Sequence, residues 1–115
     1  MYLTEGIVDL DGNEHPMVGV YPVMARMKKG RSSLGYREAT TVVSSLFGEA
    51  GTVLRGHEFH YSTVDYMPDS VERAYKLADG SAEGYKIKNT LGGYLHLHFG
   101  FDVEAIKSFV GVCLN

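Results

Sequence analysis

The chain has 115 residues, 44% hydrophobic and 22% charged, with 14 acidic against 11 basic side chains for a formal charge of −3. That is the make-up of one ordinary globular domain, too short for two, and it argues against a general nucleic-acid binder, whose footprint is a basic surplus. No apolar run approaches the ~20 residues that span a bilayer, and the single cysteine, Cys113, excludes an internal disulfide, which fits a reducing, cytoplasmic setting.

The N-terminus, "MYLTEGIVDLDG", carries acids where a signal peptide would carry a basic region followed by an apolar block. Met1-Tyr2-Leu3 reads as the middle of an apolar helix turn rather than a free end. Asp11-Gly12 is a turn signal. Pro16 to Val23 reads as a buried strand with proline at its start, where a missing N–H is tolerated. The one basic cluster, Arg26 to Arg31, reads as a solvated loop or as a contact with an anionic ligand. After the loop "GRSSLG", the β-branched run Tyr36 to Val43 predicts a strand. The turn "FGEAG" leads to a longer strand, Thr52 to Val64, with a bend expected at Gly56. "YMPDSVE" breaks it, and "RAYKLADG" and "GYKIKNT" flank a turn as a hairpin. "GGYLHLHF" predicts the next strand. The last segment predicts a helix, with Asp102 as N-cap, Glu104 at the positive end of the dipole, and Val103, Ile106, Phe109, Val110 and Cys113 on the core face. With one sure helix there are few crossovers, so most strands should pair antiparallel or need partners from elsewhere.

Four of the five histidines fall in two clusters, His57 and His60 in "HEFH" and His96 and His98 in "HLH". On a strand Tyr94, His96 and His98 share one face, and Leu95, Leu97 and Phe99 the other, which reads as core. By the same rule Glu58 and His60 share a face and His57 takes the opposite one. His15 reads as a surface residue. Three readings fit the clusters. Histidines at i and i+2 on a strand are a metal-ligand geometry, which Glu58 or His60 could complete; a cupin-like barrel would also want a carboxylate a few residues on, yet Asp102 and Glu104 open a helix. A histidine at a strand end can instead act as base toward a cysteine or serine nucleophile. No Gly-x-Ser-x-Gly elbow is present, and Cys113 on a helix core face reads as packing. The third reading is of satisfied polar groups, which asks for partners at every buried ring nitrogen. Gly92-Gly93 marks a bend or a close approach of backbone to a ligand.

Three separated motifs, "MYLTEGIVDLDGNEHPMVGVYP", "LRGHEFHYS" and "LGGYLHLHFG", resemble in order and spacing the C-terminal part of the glutaminase domain of cobyrinic acid a,c-diamide synthases, cobyric-acid-synthase-type class I glutamine amidotransferases. The resemblance implies an α/β fold: the strand-rich C-terminal portion of a flavodoxin-like class I amidotransferase domain, closed by a C-terminal helix. It implies that residues 1–115 are a partial domain. The Cys-Gly-Gly nucleophile elbow, followed in the family by Met-Tyr-Leu, would precede Met1-Tyr2-Leu3, and an ATP- and magnesium-using domain would lie before that. By this resemblance His96 is the general base toward that cysteine. In many relatives a glutamate stands two residues after the histidine; here that place is His98, so a Cys-His dyad is expected. His98, Tyr94, His57, Glu58 and His60 are expected to shape or support the pocket, with no metal among them. The implied activity is ATP-dependent amidation of tetrapyrrole carboxylates, cobyrinic acid foremost, with glutamine as nitrogen donor, in the cytoplasm and without nucleic acid or membrane. This chain alone would lack glutaminase activity. A small metal-binding β protein and a non-catalytic partner subunit are the alternatives, and an exposed sheet edge would invite pairing with a second copy.

Overall fold

A computed structural model describes residues 1–115 as ten strands and one helix in two compact units, residues 1–34 with 59–71 and residues 35–58 with 72–115. The expected mixed α/β, strand-rich chain with a single C-terminal helix is what forms.

The first unit holds β1 (Thr4–Val8), β2 (Glu14–Pro16), β3 (Tyr21–Met27) and β6 (Ser62–Val64), in the order β2-β1-β3-β6. Asp11-Gly12 makes the expected turn: the Asp9 carboxylate accepts the backbone N–H groups of Asp11 and Asn13, both at 2.9 Å. β1 and β3 run parallel, and the connection between them is not a helix but the hairpin strand β2 on the far side of β1. The strand expected over Pro16–Val23 is divided. Pro16 ends β2, the chain turns at Gly19 with φ +76°, and β3 starts at Tyr21 and absorbs Arg26 and Met27 from the expected basic loop. Arg26 is occupied by Asp65 at 2.7 Å. Met1-Tyr2-Leu3 is no helix turn. It curls into β1, where the Thr4 amide donates to the Met1 carbonyl at 3.0 Å. Tyr21, Val23, Ala25, Met67 and Val71 form the buried apolar residues of this unit.

The second unit is built on a six-stranded sheet in the order β10-β5-β4-β7-β8-β9. Its strands are β4 (Ser33–Thr41), β5 (Val53–His60), β7 (Glu72–Leu77), β8 (Ala82–Ile87), β9 (Thr90–Gly92) and β10 (His96–Leu97). The hairpin β7–β8 forms as expected, with Tyr75 opposite Glu83. The long strand expected over Thr52–Val64 breaks at Tyr61, not at Gly56, and its end becomes β6 of the other sheet. "GGYLHLHF" is likewise interrupted: β9 stops at Gly92 and β10 is two residues long.

Helix α1 (Val103–Leu114) starts on Asp102, whose carboxylate accepts the amides of Glu104 at 2.8 Å and Ala105 at 3.3 Å. Its buried face is rotated from the expected one. Ala105 is buried and Ile106 and Phe109 are half-buried, while Val103, Val110 and Cys113 are exposed. The small Ala105 lets the helix approach closely and Phe109 anchors it, which turns the valines to solvent. Phe109 stacks on Phe47 with centroids 5.7 Å apart, and Phe99 lies 6.1 Å from Phe47 and 5.9 Å from Phe109. Each such ring pair adds ~0.5–1.5 kcal/mol beyond burial, so together they outweigh the ~1 kcal/mol of the cap. Ala39, Phe47, Leu54, Ala74, Tyr75, Leu77 and Ala105 form the core, with Leu95 and Leu97 packed against it.

Candidate active site

The edge strand β10 carries His96. It lies antiparallel to β5, with His96 opposite His57 and Leu97 opposite Gly56, and the His98 amide donates to the Arg55 carbonyl at 2.9 Å. The alternation predicted for this stretch holds over 95–98, where Leu95 and Leu97 pack on the core and His96 and His98 are exposed. It does not hold at the ends: Phe99, expected in the core, is 53% exposed, and Tyr94, expected on the histidine face, is half-buried, because the two-residue strand imposes its period only on its immediate neighbours. Gly56 explains the closeness of the pairing. A Cβ there would meet the His96 carbonyl oxygen at 2.4 Å, so only a residue without a side chain lets β10 lie this near.

The Nδ1 of His96 lies 3.1 Å from the carbonyl oxygen of His57. A carbonyl only accepts, so Nδ1 carries the proton and donates. In the neutral ring Nε2 is then the unprotonated nitrogen.

Beside it opens a groove of about 600 Å³, bordered by Gly56 and His57 of β5, by His96 and His98, by Tyr36 of β4 and by Phe101. The His57 ring meets Tyr36 edge-on at 5.3 Å. Arg37 and Arg55 also line the groove, and each faces a carboxylate at 3.0 Å, Glu58 and Glu38 respectively. Arg55 also lies over the Phe101 ring, 4.5 Å from its centroid. The Arg55–Glu38 pair is well exposed, 58% and 48%. Such a pair is worth ~0–1 kcal/mol, so either member can exchange its partner for a ligand at little cost. Glu58 is 14% exposed and belongs to the framework.

Of the residues singled out from the sequence, His57, His96 and His98 come together at the groove, and Glu58 reaches it through Arg37. His60, the last residue of β5, falls within the stretch 59–71 of the first unit and does not line the groove; its Nδ1 donates to the Ser62 carbonyl at 2.7 Å. Tyr94 is half-buried and does not line the groove, and its amide donates to the Glu83 carboxylate at 2.5 Å. Burial pushes the Glu83 carboxyl above the usual range, against the backbone amides of Tyr94 and Leu95, which favour its ionised form. Cys113, expected on the helix core face, is exposed and does not line the groove. No group of three or more His, Cys, Asp or Glu side chains converges as a metal-ligand set would, and no helix is long and apolar enough to cross a membrane.

Tyr36, Arg37, Glu38, Arg55 and Phe101 were not anticipated. One signal was available: Arg55 stands two residues before His57 and shares its face of β5. Glu83 gave none, since it falls in "DGSAEG", which reads as the hairpin's turn, whereas the structure places it in β8.

Residues 1–103 match the CobB/CobQ-like glutamine amidotransferase domain. The chain is similar to cobyrinate a,c-diamide synthases from Syntrophotalea carbinolica (39% identical over 98% of this chain and 26% of that protein) and Streptococcus sanguinis (37%, over 96% and 25%). A third, from Gloeobacter violaceus, is 40% identical over 99% of this chain and 25% of that protein. The chain thus spans about a quarter of the length of the curated relatives it matches.

Proposed function

The chain belongs to the CobB/CobQ-like glutamine amidotransferase family, and from that membership we propose that it is the segment of a cobyrinate a,c-diamide synthase that supplies the general base for releasing ammonia from glutamine. The base is His96. The observation that supports it is the hydrogen bond from Nδ1 to the His57 carbonyl, 3.1 Å long, on a ring exposed beside the groove. That bond leaves the Nε2 lone pair free.

In this reading Nε2 takes the proton from a cysteine thiol contributed from outside residues 1–115, and the thiolate attacks the glutamine amide carbon. The imidazolium returns the proton to the amide nitrogen, the C–N bond breaks, and ammonia leaves a thioester. Water, deprotonated by the same nitrogen, then hydrolyses the thioester to glutamate and regenerates the thiol. The two arginine–carboxylate pairs present both signs of charge beside the ring, and a free amino acid such as glutamine needs both at its zwitterionic end. Cys113 lies outside the groove lining, so the chain alone is expected to hydrolyse no glutamine.

ATP and magnesium, which would activate the acceptor carboxylate, are assigned to sequence outside these residues, as are the contacts to a tetrapyrrole such as cobyrinic acid. A cytoplasmic setting goes with this reading.

The test is a chimera in which this segment replaces its counterpart in the Syntrophotalea carbinolica relative. His96→Ala should lower glutamine-dependent amidation by ~10²–10⁴-fold and leave amidation from free ammonia intact. Full glutamine-dependent activity in His96→Ala would overturn the assignment.

A further inference from the structure

Glu83 is a carboxylate buried in the hairpin strand β8, only 9% exposed. Its Oε1 accepts the Tyr94 amide at 2.5 Å, while Oε2 is buried without a hydrogen-bond partner. Burying a carboxylate is costly unless it is well paired, so this one is out of keeping with a purely structural hairpin. The segment it touches is the connection from β9 to β10, which ends at His96. There the backbone passes so close that a Cβ on Gly93 would lie 2.3 Å from Oε1. The strand that follows is two residues long, has one neighbour, and cannot by itself fix where it lands on β5. His98, by contrast, is exposed, with its Cε1 3.0 Å from where a Cβ on Gly100 would stand.

We propose that Glu83 is a positioning residue for His96: its buried carboxylate holds the Tyr94 amide beneath the gap left by Gly93, sets the entry of β10 onto β5, and so keeps Nδ1 of His96 on the His57 carbonyl. The inference rests on the reading of His96 as the base and names what aims it. Glu83 touches no substrate and moves no proton. Its contribution is to hold the ring in one tautomer and one direction before the substrate arrives, which spares that ordering during the reaction.

The test is NMR of the full 115-residue chain near pH 8, where an ordinary imidazole is neutral. It reads amide hydrogen exchange at Tyr94 and the tautomer of His96 from its ring nitrogens. Glu83→Ala should speed Tyr94 exchange about tenfold or more and shift His96 from Nδ1–H to a mixture of tautomers. Glu83→Gln keeps an acceptor oxygen in place and should stay within about threefold of the parent, with the tautomer unchanged. Gly93→Ala leaves Glu83 present but displaces its carboxylate, and should reproduce the tautomer shift. A folded Glu83→Ala with parental exchange and tautomer overturns the proposal, and so does a Glu83→Gln that behaves like Glu83→Ala. If Glu83→Ala does not fold, an unshifted His96 in Gly93→Ala overturns it instead. None of these readings involves glutamine. They can fail while His96 remains the base, and an active His96→Ala chimera would refute the base and leave them standing.

Discussion

Replacing Gly56 with alanine places a methyl carbon 2.4 Å from the His96 carbonyl oxygen, 2.9 Å from its carbonyl carbon and 3.0 Å from Leu95 Cδ1. Ordinary contact begins near 3.4 Å, so one of the two strands must withdraw by about 1 Å. β5 is flanked by β4 on its other side, whereas β10 has no second neighbour; β10 is the one that yields. Overpacking of this kind costs ~1–3 kcal/mol. The retreat relieves the clash by giving up the bonds from His98 N to Arg55 O, 2.9 Å, and from His96 Nδ1 to His57 O, 3.1 Å, each worth ~0.5–1.5 kcal/mol. Clash and lost bonds are alternative outlets for one perturbation, so the total loss stays near 1–3 kcal/mol. Urea unfolding of the 115-residue chain followed by circular dichroism measures it, and hydrogen exchange at the His98 amide locates it. In the chimeric synthase the same 1 Å displacement of the proposed base should cost ~10²-fold in glutamine-dependent activity. A Gly56→Ala chain as stable as the parent, with the His98 amide still protected, would show that β10 does not lie this close to β5.

Three further outcomes are expected. Burial raises the Glu83 pKa above its ordinary value of 4.5, so the folded chain holds that proton to higher pH than the unfolded chain. The associated stability is fully present below the unfolded pKa and is lost as pH rises through the folded one. The stability of Glu83→Gln relative to the parent should therefore improve from acidic to neutral pH in paired urea titrations; a pH-independent difference would contradict this. Asp9 is held at about 2, chiefly by its hydrogen bond with His15 and next by the Asn13 amide. Its stabilising effect is present above the unfolded pKa and lost as pH falls through the folded one. His15→Ala should bring the Asp9 carboxyl back toward its ordinary value in a carbon-13 titration, and an unmoved midpoint would assign the depression to the backbone amides alone. Asp102→Ala removes the acceptor for the Glu104 and Ala105 amides and should cost ~0.5–2 kcal/mol by urea unfolding; no loss would mean that the Phe47–Phe99–Phe109 rings hold the helix start unaided.

What the sequence disclosed followed from short periods and strong local signals. Period 2 placed Leu95 and Leu97 inward and His96 and His98 outward, and Asp102 marked the start of α1. Turn residues located the β7–β8 hairpin. What it concealed depended on tertiary partners. The break at Tyr61 arises because the chain leaves one sheet for the other there, and no local residue announces such a change. Gly56, read as a bend, is instead a close approach, which only the facing strand reveals. Arg37 and Arg55 needed Glu58 and Glu38 beside them before their place was defined. Glu83 looks like any surface glutamate until the Tyr94 amide is seen above it.

His96, the proposed base, must reach open space and yet be held still, and these demands conflict on an edge strand of two residues. Leu95 and Leu97 resolve half of the conflict. Burying each is worth ~1.5–3 kcal/mol, and a slip of one residue would turn both outward and His96 into the core. The register that folds the strand is therefore the register that presents the imidazole. The rest falls to the hold proposed for Glu83 on the Tyr94 amide and to the His57 carbonyl. As a neutral acceptor it selects the Nδ1–H tautomer without placing a charge against the ring, and it belongs to β5, which carries buried Leu54 into the core. The acceptor that holds the ring is thus part of the sheet against which β10 lies.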